Sequence, residues 1–288
     1  MYMLNNEIIS LKYRNSPRLL SEIKKKYNFE EPFANAVLNN FFDDEFLNEA
    51  ILEFPNLDKM ASSTKYNNKN ELKLASNNFE LFPQKIKKII SYLNSEEFLS
   101  FLQYITSIKE KLIADKNLNG GGIHEIKKGG YLKVHTDFHK HPVLPIERRL
   151  NILLYLNKDW RDIYGGHLQF WDKDMKNCIK KISPTFNKLV IFNTTDYSNH
   201  GHPDPLQCPD HLSRRSIATY YYSKGRPDNE IINIHSKNTT DFKDREGFVN
   251  ETYKKKEYVK NFLRKFKFYK NLKNFEKKYL RSKSNKNN

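Results

Sequence analysis

The segment GYLKVHTD, residues 130–137, decides how the rest of this sequence is interpreted. Its first part, residues 131–135, has the pattern of a short β-strand. In a strand, side chains two residues apart project from the same face. His135 and Asp137 can therefore reach one metal ion together. An isolated His-x-Asp pair is common and is more often structural than catalytic, so its meaning depends on the residues that accompany it.

Two further candidate ligands follow in the segment NHGH, residues 199–202. Two histidines and one carboxylate on one face of an ion leave its other positions open for substrate and oxygen. This facial triad is typical of non-haem iron(II) oxygenases. Either His200 or His202 can complete the set that begins with His135 and Asp137.

The segment RRSIA, residues 214–218, supplies a candidate anion site. Arg214 and Ser216 share one face of a predicted strand. An arginine fork pairs bidentately with a carboxylate, and a serine hydroxyl can add a hydrogen bond to it. An exposed strand arginine is the commoner case. Here the small residues Ser216 and Ala218 indicate a face that lines a cavity.

The middle of the chain has short β-favouring runs separated by turn residues, which predicts an antiparallel sandwich or jelly roll. No helices alternate with these runs, so a parallel α/β sheet is disfavoured. The predicted strands are residues 122–127, 131–135, 149–156, 166–172, 188–193 and 214–222.

The flanking regions have a different character. Residues 1–116 are predicted to be a mainly helical region that packs on the core, with helices at 16–27, 41–54 and 83–115 and a loop at 57–80. Residues 117–235 are predicted to form the core. Residues 236–288 are predicted to be a basic C-terminal extension, helical and then disordered.

The basicity of the chain is concentrated in that extension. The net charge is +16, and residues 254–288 contribute 14 Lys/Arg against two Asp/Glu, which leaves +4 for the remainder. Aromatic and aliphatic residues recur at helical spacing between the lysines. Such a helix packs on the body or makes a weak contact with an anionic surface. No nucleic-acid motif accompanies it, so no specific nucleic acid is expected.

The two cysteines, Cys178 and Cys208, are too few for a disulfide framework. Residues 1–10 lack the apolar run of a signal peptide, and no segment is long and apolar enough to span a membrane. These features predict a soluble protein of the cytoplasm.

Taken together, five segments resemble the prolyl-4-hydroxylase-like branch of the 2-oxoglutarate/Fe(II)-dependent dioxygenases. Each segment alone is a weak or moderate signal, but their shared order and spacing make the resemblance specific. It covers residues 117–223. The segments are GYLKVHTD at 130–137, LLYLNKDW at 153–160, GGHL at 165–168, NHGHP at 199–203 and RRSIA at 214–218.

The resemblance implies a double-stranded β-helix, which is a jelly-roll barrel open at one end, flanked here by the N-terminal helical region and the basic helix. It implies that His135, Asp137 and one later histidine bind Fe(II). In this family the ligand histidine is followed by a short apolar or glycine stretch and then proline. His200 fits that order better than His202.

The resemblance also implies how a co-substrate is held. Arg214 matches the arginine that binds the distal carboxylate of 2-oxoglutarate. Tyr155 matches a tyrosine whose hydroxyl helps to hold that carboxylate, and Ser216 matches a small or hydroxylated position beside it. The Gly165-Gly166 pair matches a tight turn into the next core strand.

The implied reaction is a hydroxylation that uses Fe(II), O2 and 2-oxoglutarate, with ascorbate in a supporting role. The implied substrate is a peptidyl proline. Relatives that act on free amino acids, sugars or other small metabolites keep a small-molecule substrate open, and a non-catalytic jelly-roll binding module is the rival class. The loop at 138–147 is expected to border the cavity mouth, with His139 and His141 available for recognition.

Overall fold

The computed structural model describes residues 2–227, Glu230 and residues 240–243. Within them, thirteen strands form one antiparallel sheet that curls into a half-barrel. The strands are β1 Asn35–Asn39, β2 Thr64–Asn67, β3 Glu71–Ser76, β4 Ile113–Ala114, β5 Gly122–Lys127, β6 Tyr131–Thr136, β7 Glu147–Tyr155, β8 Leu168–Trp171, β9 Cys178–Ile182, β10 Lys188–Asn193, β11 His200–His202, β12 Ser213–Ser223 and β13 Asp241–Phe242. The helices are α1 Leu11–Arg14, α2 Pro17–Tyr27, α3 Asp44–Leu52, α4 Gln84–Leu93 and α5 Glu96–Thr106, with short 3-10 turns at Phe79–Leu81 and Asp162–Tyr164.

The order of the strands confirms the jelly-roll prediction. The sheet runs β1-β10-β7-β12-β5-β3 and continues as β6-β11-β8-β9, with β2 on β3, β4 on β12 and β13 on β6. Strands distant in sequence are neighbours, as in the pairing of β12 with both β5 and β7. This topology brings the His135 strand and the Arg214 strand to two sides of one interior.

The alternation of residues along β7 explains how this strand serves both faces of the sheet. Leu150, Ile152 and Leu154 point into the main apolar core. Asn151 and Leu153 alternate with them and line the interior cavity. Because successive side chains of a strand point to opposite faces, one face of β7 packs in the core and the other lines the cavity.

The N-terminal helices cover the outer face of the sheet. Ser16 caps α2 by accepting a hydrogen bond from the amide of Leu19, and Asp43 caps α3 through the amide of Phe46. Phe41, Phe98, Phe101 and their neighbours belong to the same core as Leu150 and Ile217. Each such side chain, fully buried, contributes about 1.5–3 kcal/mol to folding. The helices are thus part of the fold that supports the barrel.

Three details of the N-terminal region differ from the sequence prediction. The segment 83–115, predicted to be helical, ends in strand β4 at Ile113–Ala114. Residues 57–80, predicted to be a loop, contain the β2–β3 hairpin. The sheet also extends across the predicted boundary at residue 116 between the N-terminal region and the core. Strand β1 pairs with β10, and β3 pairs with both β5 and β6. The hairpin alternates charged and apolar residues only briefly, and its partners lie fifty residues further on, so local pattern gave no signal for it.

The predicted C-terminal extension contributes one strand that the structure describes. Asp241 pairs with Thr136 and Phe242 pairs with His135, and this strand precedes the predicted basic helix. The predicted basic helix at 254–281 lies outside the described residues. Within the described residues, no helix has both the length and the apolar character to cross a bilayer.

Candidate active site

Three predicted ligands converge at the open end of the barrel. The ligand atoms of His135, Asp137 and His200 all lie within 4.8 Å of one another. Nε2 of His135 is 3.6 Å from Oδ1 of Asp137, and Nε2 of His200 is 3.4 Å from Oδ2. The pairing of β6 with β11 sets His200 directly opposite His135.

Both histidines are held in the tautomer that a metal requires. Nδ1 of His135 is 2.8 Å from the carbonyl oxygen of Lys133, and Nδ1 of His200 is 2.9 Å from that of Ser198. A carbonyl oxygen can only accept, so each Nδ1 carries the proton and donates it. Each Nε2 is left with its lone pair directed toward Asp137, the arrangement that orients metal-binding imidazoles.

Asp137 is kept ionised by a buried arginine that the sequence analysis did not identify. Nη2 of Arg148 lies 3.2 Å from Oδ2 of Asp137, and the side-chain amide of Asn151 donates to the same oxygen. Burial alone would raise the pKa of Asp137. The positive charge of Arg148 and the contacts with His200 and His135 outweigh burial and hold that pKa well below its usual range.

Arg148 is itself fixed in place without exposure to solvent. Its guanidinium carbon lies 3.4 Å from the ring centroid of Tyr220 and 4.7 Å from that of Phe138. Its Nε donates to Oδ1 of Asn151 at 2.7 Å. Arginine stacks on aromatic faces in this way and still presents its planar donors at one edge.

His200 is neutral in the folded protein over the ordinary pH range. Burial lowers its pKa to about 4, helped by the proximity of His135 and opposed by Asp137. A neutral imidazole and an ionised carboxylate are the forms that coordinate a metal.

The other end of the interior holds Arg214, a buried guanidinium with no carboxylate partner among the described residues. It is 4% exposed, its Nε donates to the carbonyl oxygen of Gly166 at 2.8 Å, and its Nη2 donates to the hydroxyl of Tyr155 at 3.1 Å. Burial lowers its pKa and Tyr155 opposes that effect. A buried, unpaired cation is unfavourable, so this site is suited to an anion.

The backbone at Gly165 and Gly166 lets Arg214 occupy this position. Both glycines have positive φ, at +71° and +73°. A Cβ on Gly166 would stand 2.6 Å from a methyl group of Leu206 and 3.0 Å from Cδ of Arg214. The predicted tight turn is therefore present, and its second glycine is required because Arg214 passes against it.

The two residues predicted beside Arg214 lie close to it. Tyr155 packs its ring under the guanidinium at 4.8 Å and is fully buried. Ser216 pairs with Tyr155 across β12 and β7 and lines the cavity. Tyr155 accepts its hydrogen bond from Arg214, so its hydroxyl proton is free to be donated.

One cavity of about 390 Å³ connects the metal group to Arg214. Sequence analysis missed several of its wall residues, because they come from the hairpin and from residues 240–242. Lys73 and Glu71, which form a 3.0 Å ion pair, stand on the hairpin side. Phe242 packs against His135 with ring centroids 5.4 Å apart. The missed wall residues include Tyr66, Glu71, Lys73, Thr240 and Phe242.

The loop at 138–147 differs in part from the prediction. Phe138 lines the cavity, as expected for a residue at the mouth. His139 and His141 are instead buried in polar contacts, with Nε2 of His139 3.0 Å from Asp196 and Nε2 of His141 3.7 Å from Asp115. Nδ1 of His141 accepts from the amides of Val143 and Leu144, so this histidine shapes the loop.

The donor set fits a ferrous ion. Two neutral imidazole nitrogens and one carboxylate on one side of a common point form the facial triad that leaves positions open. The cavity begins at that point and ends at an unpaired guanidinium, which fits a small dicarboxylate reaching from the metal to Arg214. Such a constellation can hold a metal and an anionic co-substrate in a site largely closed to water.

Comparisons with known proteins agree with this geometry. Residues 121–222 match the family model described as the 2OG-Fe(II) oxygenase superfamily. A mouse protein, prolyl 3-hydroxylase OGFOD1, is 34% identical over 79 residues, which are 26% of this chain. The match spans 14% of the length of that curated relative.

Two solved structures share the fold. A prolyl hydroxylase from Trichoplax adhaerens, solved in complex with a peptide fragment of the hypoxia inducible factor oxygen degradation domain, has a TM-score of 0.54 at 17% identity and covers 75% of this chain and 94% of its own. A prolyl-4-hydroxylase from Pseudomonas putida has a TM-score of 0.53 at 14% identity, covering 72% and 100%. At these identities the likeness shows the shared fold.

Proposed function

We infer the activity of this chain from the match of residues 121–222 to the family model described as the 2OG-Fe(II) oxygenase superfamily. We propose that it hydroxylates a substrate in a reaction that consumes O2 and 2-oxoglutarate. One oxygen atom enters the substrate as a hydroxyl group, and the other enters the carboxylate of succinate as CO2 is released. Fe(II) and 2-oxoglutarate are the cofactor and co-substrate, and ascorbate supports the ferrous state.

The observation that carries this proposal is the joint placement of four side chains in one cavity. His135, Asp137 and His200 form the metal group, and Arg214 stands as an unpaired cation at the far end. A jelly roll that only bound a ligand would have no chemical use for a preorganised triad of this kind. The complete set therefore favours the enzyme over a non-catalytic binding module.

Each residue has a distinct part in the proposed reaction. When bound, the metal and the co-substrate supply the oxidising chemistry. Asp137 brings the negative charge, which Arg148 keeps available by holding the carboxyl ionised. His135 and His200 present Nε2 in a fixed direction. Arg214, with Tyr155 and Ser216, neutralises and orients the distal carboxylate.

We propose a peptidyl proline as the substrate. The curated relative is named a prolyl 3-hydroxylase, and the Trichoplax protein is a prolyl hydroxylase solved with a peptide fragment. Strand β6 and Phe138, the first residue of the loop at 138–147, line the cavity beside the metal group, and we propose that a peptide approaches there. A free amino acid, a sugar or another small metabolite is the alternative substrate class.

The remaining expectations also stay proposals. A reducing compartment such as the cytoplasm agrees with two cysteines that form no disulfide. Contact of the basic C-terminal helix with an anionic surface concerns residues outside the described part of the chain. No specific nucleic-acid partner is proposed.

Succinate production tests the proposal. Protein loaded with Fe(II) should convert 2-oxoglutarate to succinate, and mass spectrometry of proline-containing peptides and of small metabolites should find a product heavier by one oxygen atom. Asp137→Ala should abolish both signals by removing a ligand, while the exposed Asp210→Ala should leave them unchanged. Succinate formation by Asp137→Ala at the wild-type rate would refute the assignment of the site.

A further inference from the structure

Within the part of the chain that the structure describes, the second histidine of the HGH strand has no hydrogen-bond partner for either of its ring nitrogens. Nδ1 and Nε2 of His202 are both buried without a hydrogen bond among the described residues, and the side chain is 2% exposed. Leaving a buried polar group unsatisfied is unfavourable. A histidine kept in this state is suited to a bound molecule that supplies the missing partner.

His202 is placed inside the cavity that links the metal group to Arg214. It lies two residues beyond His200 on β11, past an irregularity in the pairing of β11 with β6, and both histidines line this cavity. Among the charged and titratable groups that act on it electrostatically are Arg214, Lys73, His135 and His124. It therefore shares the cavity with both the metal group and the guanidinium of Arg214.

The metal group does not include His202. The convergent ligand atoms belong to His135, Asp137 and His200, and both histidines of that set have an Nδ1 anchored to a carbonyl oxygen. No such anchor exists for His202 among the described residues. Its orphan nitrogens are thus unexplained by metal binding.

The guanidinium of Arg214 offers only part of its donors to a carboxylate. Nε of Arg214 already donates to the carbonyl oxygen of Gly166, and one N–H of Nη2 donates to the hydroxyl of Tyr155. A bound carboxylate would meet only the remaining N–H groups on Nη1 and Nη2. A further N–H from a different direction would fix the carboxylate within the plane of the guanidinium.

We propose that His202 is a second anchor of the co-substrate, donating a ring N–H to the distal carboxylate of 2-oxoglutarate beside Arg214. This inference rests on the proposed function and adds a positioning residue to it. Binding would give a partner to the protonated ring nitrogen of His202 and to the unpaired guanidinium of Arg214 at once. It would also give each histidine of β11 a separate role, one toward the metal and the other toward the co-substrate.

Binding measurements without turnover test this assignment. Mn(II) loading is followed by electron paramagnetic resonance, and 2-oxoglutarate binding to the Mn(II)-loaded protein is followed by calorimetry. His202→Leu keeps a similar volume and removes the donor. We expect it to weaken 2-oxoglutarate binding roughly ten-fold to a hundred-fold, with Mn(II) affinity unchanged. His202→Gln, which retains an N–H, should recover part of the loss, and the exposed His211→Leu should bind like the wild type.

A second ligand identifies which end of the co-substrate His202 holds. In 2-oxopentanoate a methyl group replaces the distal carboxylate, so its affinity should be the same in the wild type and in His202→Leu. Equal 2-oxoglutarate affinity in these two proteins, or an equal loss for both ligands, would overturn the inference while leaving the proposed function intact. Loss of Mn(II) in His202→Leu would assign the residue to the metal instead and also overturn it. A wild-type protein that takes up Mn(II) and no 2-oxoglutarate would refute the proposed function itself.

Discussion

At the scale of single residues, Arg214 owes its position to a neighbour without a side chain. Gly166 has a φ of +73° and lies against Cδ and Nε of Arg214 and a methyl group of Leu206. Its carbonyl oxygen accepts from Nε of the same arginine. One glycine thus supplies both the space for the anion-binding side chain and the hydrogen bond that orients it.

Gly166→Ala should displace Arg214 and weaken 2-oxoglutarate binding by roughly ten-fold or more, because a Cβ there overlaps Leu206 and crowds the arginine. Calorimetry on the Mn(II)-loaded variant measures the effect. Gly165→Ala is the matched control, since its φ of +71° is nearly the same but nothing lies within 4 Å of the added Cβ. Equal affinities in the two variants would show that backbone strain, and not contact with Arg214, sets the effect.

The proposed ligand residues were predictable from sequence, but Arg148, which keeps Asp137 ionised, was not. His135 and Asp137 lie two apart in one strand, so local spacing is enough to pair them. Arg148 belongs to a run of charged residues, Glu147-Arg148-Arg149, that would ordinarily be solvent-exposed. Only the folded structure shows it buried between two aromatic rings with an edge toward Asp137.

At the scale of elements, the short strand β13 completes the wall beside the metal group. Strand β3 pairs with β6 at Tyr131 and Leu132, and β13 continues along that strand at His135 and Thr136. The ring of Phe242 is thereby set against the ring of His135. The backbone pairing fixes an aromatic side chain over a metal ligand.

Phe242→Ala should weaken metal binding by roughly two-fold to ten-fold, because an aromatic contact of about 0.5–1.5 kcal/mol that steadies the His135 ring is lost. A competition titration of Mn(II) against a chelator measures the change. Phe29→Ala removes an equally large ring from an exposed position and should have no effect. Wild-type affinity in Phe242→Ala would mean that the ring does not position His135.

Element prediction succeeded where a segment carries its own pattern. Strands β5 and β10 have the predicted bounds, and α2 begins at its predicted Ser-Pro signal. Strands β3, β11 and β13 have two to six residues and gain their stability from partners far along the chain. Their sequences hold no sustained alternation, so no local rule could find them.

At the scale of the whole molecule, the titratable groups of the site also affect the stability of the fold, because several histidines have a lowered pKa in the folded protein. Burial lowers the pKa of His124 to about 3 and that of His200 to about 4. Burial also holds the pKa of His202 well below its usual value. In the unfolded chain the pKa of each histidine returns to about 6.5.

Stability should therefore fall as the pH drops below about 6.5. The unfolded state then binds protons that the folded state excludes, so the free energy of unfolding decreases until the pH reaches the folded pKa values. Each such histidine contributes a slope of about 1.4 kcal/mol per pH unit in that window. Urea unfolding of the metal-free protein between pH 7.5 and 5 measures the slope. His124→Gln should reduce it by one histidine's share, and an unchanged slope would contradict the burial of a neutral His124.

The N-terminal helices and the barrel share one core, which was only partly predictable. Helical spacing in residues 83–115 predicted the amphipathic helices α4 and α5, but not what they cover. The structure shows the hydroxyl of Tyr221 donating to the carbonyl oxygen of Leu93 at 2.7 Å, with the ring of Phe98 against Tyr221. The same strand, β12, carries Arg214, so helix packing and co-substrate binding act on one element.

A crystal structure of the protein with Mn(II) and 2-oxoglutarate is the most direct measurement of the central claim. We predict one ion bound by Nε2 of His135, Nε2 of His200 and a carboxylate oxygen of Asp137, with the distal carboxylate of the co-substrate on the guanidinium of Arg214. An ion bound elsewhere, or a co-substrate whose distal carboxylate avoids Arg214, would contradict the account.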